Sequence, residues 1–407
     1  MCAGLSRPPA HLLSPTRAAL LLVVLALALA GCAASPSTPS GRGELGVVIE
    51  RASGSVQIVD NAAHASLGRI TGLGDLSHAA LVYSRDARHA FVFGRDGGLS
   101  KIDLATRKTV ARTMQAGNSI GGAISRDGRV VAVANYEPGG VKLFDADTLE
   151  QLAEIPSAYG SEGKRSKVVG IADAPGRRFV FSLFDAGEIW LADATDARAP
   201  QVTRFRQVGL QPYDALITQD GRYYIAGLFG EDGLALLDLE HTERGVRRIL
   251  NGYGRGAEKL PVYKMPHLRG WATAGDLAFL PAIGQHAVLV VDMRSWKQVA
   301  SIAVHGQPVF VMARPDGRQV WVNYAFPLND TVQVIDVAAL KVVESLKPGK
   351  AVLHMEFTAR GNEIWISARD DGKLVVYDTA TYARLAELPA DSPSGIFFTW
   401  RAQRIGL

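Results

Sequence analysis

The stretch QDGRYYIAGLFGEDGLALLD, residues 219–238, holds the reading that decides the fold. A tight turn (QDGR, 219–222) leads into a short β-branched and aromatic run. A second polar, glycine-bearing turn follows, and then an apolar strand that ends on Asp238. Short strands punctuated this closely by turn residues predict antiparallel hairpins. The closing phrase, a hydrophobic pair plus Asp, recurs at Asp60, Asp103, Asp145, Asp193, Asp238, Asp292, Asp336 and Asp378, at intervals of 42 to 54 residues. Upstream of most lie turns such as RDAR (85–88), RDGR (126–129), APGR (174–177), RPDGR (314–318) and ARGN (359–362). Apolar runs this short and this broken by glycine rule out a helical repeat, and this period is that of propeller blades.

Eight markers mean eight blades. Before the first there is only a half-blade, GELGVVIERASGSVQIVD from Gly43, and after the last comes a lone strand, SPSGIFFTW. The C-terminal strand is therefore expected to complete the first blade, which closes the ring and removes its exposed edges. The expected fold is all-β: a single eight-bladed β-propeller over 43–407, one domain where the length alone would allow two.

The 407 residues are 47% hydrophobic and 21% charged, with a formal net charge of +4. No run of Lys and Arg occurs, which argues against a nucleic-acid partner. Arg7 and Arg17 precede an uninterrupted apolar stretch, Ala18 to Ala30, too short to span a bilayer as a helix. It ends Leu29-Ala30-Gly31-Cys32, which resembles a bacterial lipobox. The resemblance implies a signal peptide over 1–31, lipidation of Cys32, a tether over 32–42, and a periplasmic location anchored to a membrane, the outer one because Ala33 is not Asp. The alternative is an ordinary signal peptide with an incidental Cys32. Cys2 and Cys32 are the only cysteines, so the expected mature chain has no disulfide, thiol nucleophile, thiolate metal site or covalent haem attachment.

In a propeller, the loops entering inner strands and the turns after second strands share one rim. Counting nine residues back from each turn glycine or its equivalent gives His78, Ser119, Lys167, Pro212, His267, Pro308 and Val352. Tyr213, His305 and His354 lie close by in sequence; Arg165, Lys264, Arg269 and Lys350 fall in the same entry loops, and Arg95, Asp185, Glu231 and Arg369 in the rim turns. A cationic, aromatic mouth bearing histidines suits a planar, metal-containing ligand with several carboxylates, because imidazole ligates iron and Arg pairs with carboxylate through two bonds. Each histidine could equally be a structural hydrogen-bonder. The glycine-rich GRGE (41–44) and GYGRGAEK (252–259) do not open a helix after a strand as a dinucleotide fingerprint requires, and read as loops.

Six phrases carry a family resemblance: GDLSHAALVYSRDARHAFVFGRDGG (74–98), KRSKVVGIADAPGRRFVFSLFDAGEIW (164–190), QPYDALITQDGRYYIAGLFGEDGLALLD (211–238), LPVYKMPHLRGWATAGD (260–276), GQPVFVMARPDGRQVWVNYAFPLNDTVQVID (306–336) and GKAVLHMEFT (349–358). From about residue 44 to the end, the chain resembles the NirF proteins of haem d1 biosynthesis, relatives of the d1-binding propeller of cytochrome cd1 nitrite reductase. The resemblance implies that His78 is the axial iron ligand, that Arg95 meets a macrocycle carboxylate, and that Gly395 lies in a closing segment that contacts the ring. Where the reductases carry a distal His and a ring-facing Gln, this chain has Tyr213 and His354, and it lacks a cytochrome c domain; nitrite reduction is therefore not expected.

The expected ligand is non-covalent haem d1 or a dihydro-haem d1 intermediate, as substrate or product. His78, Arg95, Lys167, Lys264, Arg269, His354 and Gly395 are the expected binding residues. One reading is enzymatic, a late side-chain dehydrogenation in which Tyr213, Asp214, His267 or Asp185 takes a proton. The other is a carrier that delivers cofactor to nitrite reductase. Other maturation proteins and the reductase itself are the expected protein partners.

Overall fold

The computed structural model describes residues 45–254 and 271–406, and they form a closed ring of eight four-stranded antiparallel sheets. Each sheet is a blade, and in all but the first the strands run from inner to outer in chain order, as in Pro212–Ile217, Tyr223–Leu228, Leu234–Asp238 and Val246–Ile249 of blade five. A small two-stranded hairpin, Ala158–Tyr159 with Lys164–Arg165, stands apart between blades three and four. Among the described residues no helix is long and apolar enough to cross a membrane.

The eightfold Asp repeat has one local cause. At all eight positions the carboxylate Oδ1 accepts a backbone N–H two or three residues downstream, from Ala62 onto Asp60 through to Ala380 and Thr381 onto Asp378. Each Asp thereby turns the chain from the third strand into the outer one. The tight turns between inner and second strands use the same device, with Asp127, Asp220 and Asp316 each accepting an N–H two residues on. Glycine supplies the left-handed residue there, as at Gly221 (φ 77°) and Gly317 (φ 72°).

The ring closes as the sequence predicts. Pro393–Phe398 is the inner strand of blade one and pairs antiparallel with Leu45–Glu50, Gly46 facing Phe398 and Glu50 facing Pro393. A Cβ on Gly46 would lie 2.5 Å from the Phe398 ring, so the closure requires glycine there. Apolar side chains fill the space between neighbouring blades: Trp190, Phe179 and Phe181 of blade four, for example, pack with Val130 and Ala132 of blade three. Trp190, Trp321 and Trp365 are fully buried in such seams. Stability is thus spread round the ring, and the channel lining is left free for function.

Candidate functional site

The inner strands carry a feature that simple alternation does not predict. In blades one, four, five, seven and eight each holds one residue more than the second strand opposite it, close to the same rim; in blade three Ile120 bulges too but is offset by Tyr136 on the second strand. In blade five, Pro212 pairs with Leu228 and Ala215 with Ala226, so Tyr213 and Asp214 share a bulge. Val309–Phe310, Leu353–His354 and Ser394–Gly395 sit in the same place in blades seven, eight and one. In all four blades the bulged pair is half-buried and its flanking residues are buried. Bulges re-aim side chains, and here they turn a ring of residues into the mouth of the channel.

Counting nine residues back therefore lands one position early in several blades. Ser119, Pro212, Pro308 and Val352 are buried in blade packing, and the residues that line the mouth follow them. The tetrapeptides PYDA, PVFV, VLHM and PSGI, at 212–215, 308–311, 352–355 and 393–396, are the signal that marks the bulge in sequence. Blade two has no bulge at this pairing, and His78 lies two residues ahead of its inner strand, exposed on the rim.

The loop bearing His78 is held from beneath and at its side. Leu73 and Leu76 are buried, the Asp75 carboxylate accepts the Ser77 N–H at 2.8 Å, and the Asp75 carbonyl accepts the Arg95 N–H at 2.8 Å. His78 and Arg95 are thus set on adjoining turns. Arg51 joins them, a residue the rim reading missed. Burial and the like charge of Arg369 pull its guanidinium below the usual range; Asp75 opposes this, and Arg95 adds to it. Arg51 and Arg95 thus share the field of the Asp75 carboxylate beside His78, and Arg369, paired with Asp370 at 2.7 Å, brings a third guanidinium close to Arg51. The missing signal follows from ring closure: with the C-terminal strand as the inner strand of blade one, the turn at 51–54 is equivalent to those bearing Arg95 and Arg369.

The far side of the mouth is aromatic. Tyr213 packs against Phe184 and Phe229 with ring centroids 5.9 and 5.7 Å away, and its hydroxyl lies 3.0 Å from that of Tyr136. Burial raises the pKa of both phenols. The Asp214 carboxylate raises them further, and the Arg95 charge opposes it. At neutral pH Tyr213 is accordingly a hydroxyl donor. Gly170 makes room beside it: its φ is 59°, and a Cβ would lie 2.8 Å from the Tyr213 carbonyl oxygen.

His354 occupies the bulge of blade eight. Its Nδ1 accepts the Ile396 N–H at 3.2 Å, which leaves Nε2 as the N–H of the neutral ring. Burial, reinforced by the charge of Arg401, pushes the imidazole down to about 3. Phe310 and Phe397 flank it, with centroids 6.3 and 5.5 Å away. A Cβ on Gly395 would come within 2.4 Å of the Phe397 ring, so glycine lets that ring lie beside His354.

Other expected residues are engaged in local structure. Asp185 accepts the Lys167 backbone N–H at 2.9 Å and its Nζ at 3.2 Å, so this pair is tied together on the rim. Arg165 pairs with Glu154 at the small hairpin, and Glu231 with Arg248. Lys264, His267, Arg269 and Cys32 lie outside the described residues.

A closed all-β ring with a cationic, aromatic, bulge-lined mouth defines a ligand-holding eight-bladed propeller. The Cytochrome D1 heme domain model matches residues 40–402. The chain is 62% identical over 388 residues to Protein NirF of Pseudomonas aeruginosa (95% of this chain, 99% of that protein) and 59% identical over 389 residues to Protein NirF of Stutzerimonas stutzeri, with the same coverage. Among solved structures it is similar to the dihydro-heme d1 dehydrogenase NirN in complex with DHE, with a TM-score of 0.77 and 26% identity over 92% of this chain and 79% of that one. The chain belongs to the cytochrome d1 heme domain family, as a NirF-type member.

Proposed function

We propose that the protein binds an iron tetrapyrrole of the d1 type across this mouth and acts late in haem d1 biosynthesis. The observation that carries the proposal is the gathering of Arg51, Arg95 and Arg369 on neighbouring rim turns beside His78, whose loop is tied to Arg95 through the Asp75 carbonyl. Without a ligand this cluster holds more positive charge than it neutralises, and a carboxylate-bearing macrocycle would relieve that excess. The Cytochrome D1 heme domain match and the similarity to NirN, solved with DHE, support the ligand class.

In this reading His78 ligates the iron, the three arginines hold peripheral carboxylates, and neutral His354 donates its Nε2–H to an acceptor on the ring. Phe310, Phe397 and the Tyr213 cluster cover its faces. The reaction is dehydrogenation of a propionate side chain to the acrylate. Two hydrogens leave the side chain; Asp214 is the base assigned to one as a proton, Tyr213 the hydroxyl that orients the carboxylate, and an external two-electron acceptor takes the other hydrogen with the electron pair. The chain works in the periplasm, tethered through Cys32, with other maturation proteins and nitrite reductase as its partners.

The test is an anaerobic absorption titration with dihydro-haem d1, followed by mass analysis of the tetrapyrrole. A saturable shift altered by His78→Ala supports binding through that residue, and a loss of two mass units during incubation with an acceptor supports dehydrogenation. Binding with no mass change replaces the enzyme by a carrier that hands cofactor to the reductase. No shift at all refutes both.

A further inference from the structure

The opposite face of the propeller, remote from His78, holds a cavity of about 970 Å³. Its walls are the inner-to-second turns of blades five and seven, the strand around Thr273 in blade six, and the C-terminal segment 400–406 folded across the channel. That segment is fastened at both ends. Arg401 makes two hydrogen bonds to fully buried Glu356, at 2.7 and 2.6 Å, and the Trp400 Nε1–H donates to the Phe357 carbonyl at 3.0 Å. Farther on, Arg85 donates to the Ala402 carbonyl at 2.9 Å and to Asp173, whose other oxygen accepts the Gly406 N–H at 2.8 Å.

Within this enclosure the positive charge is not fully matched. At its edge exposed Arg126 donates to the Gln403 carbonyl, and half-buried Arg404 stacks on Trp400 at 4.7 Å; among the described residues neither has a carboxylate within 4 Å. Burial and the charge of Arg401 disfavour the Arg404 cation, and the Glu356 carboxylate opposes them only in part. A further donor in the wall, the Trp271 Nε1–H, is buried with no hydrogen-bond acceptor among the described residues, whereas Arg314 Nε faces the Asp316 carboxylate at 3.5 Å. An unmet buried donor ordinarily signals a missing partner. Trp400, Phe357, Val311 and Ile405 supply apolar wall between these polar points.

We propose that this cavity is a second ligand site, built for a small organic anion with an apolar or aromatic body. Arg404 and Arg126 meet its charge, and Trp400 with its neighbours covers the body. The fastened C-terminal segment fixes the size, which excludes a docked protein chain. The site shares no lining residue with the His78 mouth.

The test uses 1-anilinonaphthalene-8-sulfonate, an aromatic anion, titrated into the purified protein and followed by fluorescence. One saturable site is expected. Arg404→Gln should weaken it at least about tenfold, which is about 1.4 kcal/mol, and Thr273→Trp, which fills the cavity, should abolish it in a variant that melts as the parent does. His78→Ala should leave it unchanged, which keeps the outcome separate from tetrapyrrole binding. Saturation that neither cavity substitution moves, or that His78→Ala removes, overturns the proposal, as does the absence of a saturable site.

Discussion

Arg51→Gln should weaken tetrapyrrole binding while leaving the fold as stable as before or slightly more so. Arg51 is half-buried on the turn of blade one, shares Asp75 with Arg95 and lies close to Arg369, so in the free protein it is repelled as well as attracted. Removing its charge relieves a repulsion that solvent reduces to a few tenths of a kcal/mol. At roughly 0.7 kcal/mol per degree for a domain of this size, the melting temperature should rise by less than about 1 °C. Binding changes in the other direction. A hydrogen bond between charged partners contributes about 1.5–3 kcal/mol, so the dissociation constant for dihydro-haem d1 should rise about 10- to 150-fold. Raising the salt concentration should weaken the parent more than the variant. Absorption titration at two salt concentrations, with thermal melting alongside, reads both quantities, and Lys297→Gln on an outer strand of blade six is the control. Affinity within twofold of the parent would refute the arginine cluster as the carboxylate clamp; a large fall in melting temperature would show that Arg51 is structural.

Three further outcomes follow from the same geometry. Arg401→Met strands buried Glu356 and should cost about 3–5 kcal/mol, a fall of about 4–7 °C in the melting temperature; Glu356→Leu/Arg401→Met should recover most of it, and a double variant no better than the single one would contradict this. Burial lifts the Glu356 carboxyl to about 7 even beside Arg401, so its folded form holds the proton more tightly than the unfolded chain does. The Arg401→Met loss should accordingly be greater at pH 8 than at pH 5 by thermal melting. His354, depressed to about 3, acts in the opposite direction: its contribution is intact above pH 6.5 and falls as pH drops toward 3. His354→Gln should remove up to about 2 kcal/mol of acid sensitivity between pH 6.5 and 5, and identical slopes in parent and variant would sink the assignment. Tyr213→Phe removes one hydrogen bond to a carboxylate, about 1.5–3 kcal/mol, and should weaken tetrapyrrole binding about 10- to 150-fold, yet abolish side-chain turnover even at saturating tetrapyrrole; turnover at the parent rate would remove Tyr213 from the chemistry.

Much of this protein was legible in its sequence because the interactions that define a blade are local. Each marker Asp caps a turn through an N–H two or three residues away, so eight blades could be counted before any contact was known. The closing strand was legible too, since an unpaired strand at each end of such a chain can satisfy its backbone only by pairing with the other. The same closure implied the turn that carries Arg51. The side chains that reach the mouth were harder to read. A one-residue bulge reverses the face of everything beyond it, and period-two alternation cannot register that. Tyr213 and His354 were read as neighbours of the counted rim positions, and Gly395 through resemblance; the tetrapeptide beginning one residue ahead of each bulged pair is visible once the pairing is known.

The sequence by itself therefore determined the blade count, the ring closure and the small cysteine inventory, all set by hydrogen bonds between near neighbours or by composition. Only the tertiary structure decided which guanidiniums meet at Asp75 and which imidazole nitrogen carries its proton. It also decided where the C-terminal segment lies, since that depends on Arg401 reaching Glu356 and Gly406 reaching Asp173, contacts that span 45 and 233 residues. Their energies come from burial and from charge brought together by the closed ring, and no local pattern encodes them.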